Sequence, residues 1–105
     1  MSKPMNETQI ERHLAQGVKA LGGKAYKFTS PGNVGVPDRL VLLPGGKVLF
    51  AELKAEGGRL TPNQAMQIGV LRRLGAEVHE VWGKQGVEFF LGICQDKIRA
   101  REVIR

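Results

Sequence analysis

Cysteine is nearly missing from this chain: Cys94 stands alone among 105 residues. An intrachain disulfide is therefore impossible, and a cysteine-based zinc site has no ligands to draw on. Histidine is scarce too, and His13 and His79 are far apart and outside any metal-motif spacing, so both read as structural. No apolar run approaches the ~18 residues of a membrane span, so no membrane partner is expected. The opening Met1-Ser2-Lys3-Pro4-Met5-Asn6-Glu7-Thr8 has no apolar stretch of the secretory kind, and the expected compartment is the cytoplasm. P-loop, dinucleotide-binding glycine pattern, HExxH and EF-hand loop are all lacking. Acidic residues are the minority, ten against sixteen Lys and Arg. The resulting charge of +6 and pI near 9.9 favour a polyanionic partner, without distinguishing nucleic acid from a membrane surface. Hydrophobic residues at 42% and charged residues at 25% are ordinary globular values and exclude wholesale disorder. The length suits one domain, expected over residues 1–105 with its core at about 6–95.

Helix and strand signals then alternate along the chain. Asn6 can cap a helix with Gln9 as its capping-box partner, and Ile10, Leu14, Val18 and Leu21 follow at helical spacing until Gly22-Gly23. Residues 25–29 read as a short strand, and 30–37 as a loop dense in turn formers. Residues 38–43 and 47–54 form two β-rich runs around Pro44-Gly45-Gly46, a hairpin. Thr61-Pro62-Asn63-Gln64 is a strong helix start, with Ile68, Leu71 and Leu74 as the apolar face and Gly75 as the stop. Residues 77–82 form a fourth strand, Gly83-Lys84-Gln85-Gly86 a loop, and 87–105 a helix interrupted by Gly92. The order α-β-β-β-α-β-α implies an α/β fold: a mixed sheet flanked by helices, its last strand added in parallel through the second helix.

The hairpin carries the chemistry. Asp38 opens one strand, and Glu52 and Lys54 close the other, all at ends of otherwise apolar runs. Alternation puts Glu52 and Lys54 on one face and Leu53 on the other. A two-residue turn would set Asp38 opposite Leu53, on the wrong face. A three-residue loop or a bulge sets it opposite Glu52 or Lys54 and unites the three, so an odd loop or a bulge is predicted. Two readings then stand side by side. One is a surface ion pair of Glu52 with Lys54, worth ~0–1 kcal/mol. The other is a divalent-metal site, since Mg²⁺ takes hard oxygens from one or two carboxylates and leaves room for water and phosphate. The Leu53 carbonyl could add a further oxygen.

Pro37-Asp38, an intervening hairpin and Glu52-Leu53-Lys54 resemble the PD-(D/E)XK nuclease motif. Gly35-Val36-Pro37-Asp38-Arg39, Ala51-Glu52-Leu53-Lys54, Arg59-Leu60-Thr61-Pro62-Asn63-Gln64 and Leu74-Gly75-Ala76-Glu77-Val78 together resemble the VRR-NUC domain over residues 7–90. That resemblance implies a restriction-endonuclease-like fold and a stand-alone Mg²⁺- or Mn²⁺-dependent endonuclease acting on branched DNA such as four-way junctions, in a bacterial or phage-infected cell. It implies that Asp38 and Glu52 bind metal, that Lys54 assists the attacking water, and that Glu11 and Gln64 join the site, Glu11 as a further metal ligand. Glu7 is the rival to Glu11, and both also suit the positive first turns of a helix. Gln64 equally suits capping, and Gln67 borders the same face. Lys27, Arg39, Arg59 and Lys84 lie in or beside the loops around the site and are candidates for phosphate contacts. Lys97, Arg99, Arg101 and Arg105 are either a basic tail or an exposed helix face. Cys94 and Trp82 read as packing residues. A homodimer is expected, because a two-fold pair presents two sites to two strands. The alternatives are a non-catalytic nucleic-acid-binding domain on the same fold, and a nuclease of flaps or single strands.

Overall fold

Two of the three helices begin at reciprocal caps. In the computed structural model, which describes residues 3–104, α1 spans Glu7–Ala20. The Asn6 side chain accepts from the Gln9 N–H at 2.8 Å, and Gln9 Oε1 accepts from the Asn6 N–H at 2.9 Å. Thr61 and Gln64 repeat the device at the start of α2 (Pro62–Arg73), with Pro62 in the first turn. Such boxes satisfy donors that a helix leaves orphaned at its N-terminus.

The strands are β1 (Lys24–Lys27), β2 (Arg39–Leu42), β3 (Val48–Lys54) and β4 (Val78–Trp82), in spatial order β1-β2-β3-β4. The first three are antiparallel and β4 joins β3 in parallel, as the order of elements predicts. The hairpin loop has three residues. The Leu43 N–H donates to Lys47 O at 2.9 Å, and Gly45 and Gly46 take φ of 95° and 86°. Arg39 thereby stands opposite Ala51 and Leu40 opposite Phe50. The register sets Asp38 on the face of Glu52, as an odd loop requires.

Val41, Leu49, Ala51, Leu53 and Val81 share the other face and are essentially sealed against Ile10, Leu14 and Val18 of α1 and Val87, Phe90 and Cys94 of α3 (Gly83–Ile104). Gly17 lets α1 and α3 approach, since a Cβ there would lie 2.3 Å from Leu91 Cδ1. Helix α2 lies on the opposite face, where Arg72 donates to Val78 O at 2.9 Å and pairs with Glu80 at 3.4 Å.

One boundary differs from the sequence reading. Residues 83–86 are the first turn of α3, not a loop. Gly83, at φ 66°, turns the corner alone, and Gly86 sits against Val81, where a Cβ would be 3.3 Å from the backbone. Gly92 does not interrupt α3; it is exposed, with open space around it among the described residues. Of the two readings of the C-terminal basic residues, the helix face is the one seen, since α3 runs to Ile104, and part of that face is engaged. Lys97 pairs with Glu77 at 2.9 Å and Arg101 packs against Gly45, while Arg105 lies outside the described residues. Cys94 is core, as expected, and burial pushes its thiol up to about 11.

Candidate active site

Strand β3 ends in four residues divided between two faces. Ala51 and Leu53 enter the core, while Glu52 and Lys54 project to the other face. Beside them the β2–β3 ladder stops at Arg39, because the next position that would donate to the ladder, across from Leu53, is Pro37, which has no N–H. Proline thus leaves the Leu53 carbonyl without a ladder donor, while the Leu53 N–H donates to the Asp38 side chain, at Oδ2, over 2.9 Å. The aspartate is thus aimed by backbone on two sides, for its carbonyl also accepts from the Phe28 N–H at 2.9 Å. The N–H and C=O of one strand residue point to the same edge, so the Leu53 carbonyl also faces Asp38.

Glu52 has no accessible surface, and among the described residues neither of its oxygens has a hydrogen-bond partner. The Lys54 ammonium, itself nearly buried, is 3.5 Å from Glu52 Oε2. Burial, first, and the neighbouring Asp38 carboxyl, second, push the Glu52 carboxyl up to about 7, against the pull of Lys54. A buried carboxylate with empty lone pairs is costly unless something positive completes it. Lys54 completes it only in part. A divalent cation fits the remaining oxygens: hard carboxylates from Asp38 and Glu52 and the Leu53 carbonyl at one edge. Among the described residues no three His, Cys, Asp or Glu side chains gather. A cation here would therefore take two protein carboxylates and fill the rest with water and phosphate.

Glu11 is not brought to this pair. It does face the sheet, but its Oε1 meets Arg39 Nη2 at 2.6 Å, and Arg39 Nη1 donates to Ala25 O at 2.9 Å. Strand alternation is the reason: Arg39 is one residue on from Asp38, so its side chain emerges on the α1 face. For the same reason Arg39 is not a free loop cation; its side chain is 11% exposed. Glu7 is exposed in the first turn of α1. Gln64 commits its carboxamide oxygen to the Thr61 cap, leaving only its amide nitrogen for another role, and Gln67 is half-buried further along α2.

Lys27 lines a cleft of ≈ 310 Å³ with Glu11, Arg12 and Arg39. Lys84 and Lys3 border a hollow of ≈ 180 Å³ beside Glu56, and Arg59 is exposed on the loop after β3. The sequence reading missed Gly35. At φ 97°, a Cβ there would lie 2.5 Å from the Asn63 backbone, so the loop carrying Asp38 rests on the first turn of α2. Its signal was a glycine two residues before Pro37 in a loop already dense in turn formers.

No family model matches the sequence. The chain is 51% identical over 74 residues to a protein named "Putative nuclease p44" from Acyrthosiphon pisum secondary endosymbiont phage 1, covering 70% of this chain and 80% of that one. Among solved structures, one described as "VRR_NUC domain" superposes with a TM-score of 0.77 at 31% identity, over 82% of this chain and 94% of that one. Another, a "VRR_NUC domain protein", shares the fold with a TM-score of 0.66 at 19% identity, over 92% and 91% of the two chains.

Proposed function

The chain belongs to the VRR_NUC family of nucleases, and from that premise we propose that it is a divalent-metal-dependent endonuclease that hydrolyses phosphodiester bonds in branched DNA, such as four-way junctions. The observation that supports this most is Glu52, a buried carboxylate beside a second one, with no hydrogen bond on either oxygen among the described residues.

Bound Mg²⁺ or Mn²⁺, held by Asp38, Glu52 and the Leu53 carbonyl, would supply Lewis acidity toward the phosphate and lower the pKa of the attacking water. The remaining work falls to the chain itself. The Leu53 N–H fixes the rotation of the Asp38 carboxylate, so that group needs little reorganisation during the reaction. Lys54 is anchored 3.5 Å from Glu52, where its ammonium orients the attacking water and offsets negative charge growing on the phosphate. The Gln64 amide nitrogen, the part of that side chain its cap leaves uncommitted, would donate to that water or to a phosphate oxygen. Glu11 and Arg39 act here by pinning the start of β2, and with it Asp38. Lys27, Arg59 and Lys84 contact backbone phosphates, which adds affinity without sequence readout.

The working unit is the single domain over residues 1–105, as a homodimer in the cytoplasm of a bacterial or phage-infected cell. Two-fold symmetry supplies two sites for two strands of opposite polarity. Among the described residues no helix is long and apolar enough to cross a membrane.

The test is cleavage of labelled four-way junction, flap and linear duplex by wild type and Asp38→Ala, with Mg²⁺, Mn²⁺ or EDTA. Metal-dependent cutting of the branched substrates, lost in the variant, is expected. Binding without cutting under every metal condition would overturn the proposal in favour of a non-catalytic domain. Junction cleavage by mixed Lys54→Ala dimers at the wild-type rate would remove the dimer requirement.

A further inference from the structure

The sheet face that carries Asp38 and Glu52 does not end at them. The register puts Lys24, Tyr26, Leu40, Leu42, Val48 and Phe50 on that same face. Helix α2 packs on β4, at the far edge of the sheet; on β3 Glu52 and Lys54 are buried, while the part of the face toward β1 and the hairpin loop is open. Tyr26, Leu42 and Val48 are accordingly 46%, 37% and 40% exposed. Phe28 and Phe50 meet edge to face at 5.2 Å and join this patch to the carboxylates. The Lys24 ammonium sits 4.9 Å from the Tyr26 ring centroid.

From this arrangement, and resting on the nuclease proposal above as it applies to branched DNA with an unpaired arm, such as a flap, we infer that the open face binds an unpaired stretch of the substrate, with one base stacked on Tyr26. An aromatic ring beside a cation is the unit by which proteins hold single strands without reading sequence. Base pairs in a continuous duplex keep their faces covered, so only an unpaired segment can use the ring. Strand spacing and rise place Tyr26 about 12 Å from Glu52, two strands across and two residues along. That span matches about three stacked nucleotides at ~3.4 Å each. The platform therefore selects DNA with unpaired bases about three nucleotides from the bond to be cut. Charge favours DNA over a second copy of the chain on this face. A two-fold contact here would set the Lys24 of each copy into the same patch, like charge against like, whereas a phosphate backbone would neutralise it.

Binding is measured in the full chain carrying Asp38→Ala, by fluorescence anisotropy with an oligo-dT strand and a blunt hairpin duplex. Adding Tyr26→Ala should weaken the single-strand complex about 5- to 150-fold and leave the duplex within twofold. Tyr26→Phe should restore the affinity, because the ring and not the hydroxyl makes the stack. Lys24→Ala should lower the slope of log K against log salt by ~0.7 on the single strand. An equal loss on both DNAs, or no loss on either, overturns the inference. So does a Tyr26→Ala change in sedimentation without a change in single-strand affinity, which would mark the face as a contact between copies. Wild-type cleavage of a flap in Mg²⁺ separates the two proposals. Cutting together with an indifferent Tyr26→Ala sinks the platform alone. Selective loss of single-strand binding without cutting keeps the platform and sinks the nuclease.

Discussion

Two carboxylates near opposite ends of the sheet have contrary fates. Glu77 precedes β4, where His79 Nε2 lies 2.7 Å from Oε2, and Lys97 and Lys47 approach Oε1 at 2.9 and 3.5 Å. Burial would raise its pKa, but the bonds to His79 and Lys97 outweigh that and lower it. Glu52 is more deeply buried and, among the described residues, has only Lys54 as a basic partner, and its pKa is raised. The first carboxylate is completed by this chain and ties α3 to the hairpin. The second is left incomplete, which a structural ion pair has no reason to be. A carboxylate's unmet bonding capacity thus separates a part of the scaffold from a part of a site.

The largest expected effect breaks the comparison at the level of chemistry. Glu52→Gln should reduce cleavage by at least ~10²–10³-fold, a loss of the size seen when one charge-stabilising group is removed. Glu77→Gln should leave cleavage within twofold in the same gel assay.

Next comes pH. The folded-state value of Glu52, about 7, lies above its ordinary 4.5. The folded state therefore holds the proton longer than the unfolded one, and stability falls as pH rises through that window. The loss is on the order of 3 kcal/mol between pH 5 and pH 8. Urea titrations in EDTA should show it in wild type and not in Glu52→Gln. Glu77 has the opposite sign: its contribution is present above its ordinary value and is lost as pH falls through its lowered one. Metal-free stability should then peak near pH 5. Millimolar Mn²⁺ should recover the loss at pH 8, raising Tm there and much less at pH 5.5, where protons compete for the same oxygens.

Glu77→Gln should cost ~1–2 kcal/mol at pH 7, the scale of charge-assisted hydrogen bonds at a partly exposed site. The smallest effect belongs to the helix that connects the two ends. Gly92→Ala, in open space mid-helix, should stabilise by ~0.5–1 kcal/mol without changing cleavage, read by the same urea titration.

Features set by near neighbours in the chain were legible in the sequence: both capping boxes, the three-residue loop, and through the loop the union of Asp38, Glu52 and Lys54. Features made across the fold were not. Glu11 carried a correct periodicity, yet which sheet residue it would meet depended on the face that Arg39 takes. The partners of Glu77 come from a strand two residues on, a turn thirty residues back and a helix twenty residues on, with no pattern to announce them. Gly83-Lys84-Gln85-Gly86 has loop composition, and one positive φ made it a helix start. The open sheet face could be seen only once α2 had been placed.

The loop Pro44-Gly45-Gly46 lies at the far end of the hairpin from the chemistry, and the frame of the site is kept along the strands between them. Opposed residues share a face, so a slip of one position between β2 and β3 would exchange Asp38 for Arg39 beside Glu52, swapping an acid for a base with every residue of the site intact. The same slip would turn Val41 out of the sealed core, and that cost forbids it. The apolar face of the hairpin thus proofreads the face that carries the carboxylates.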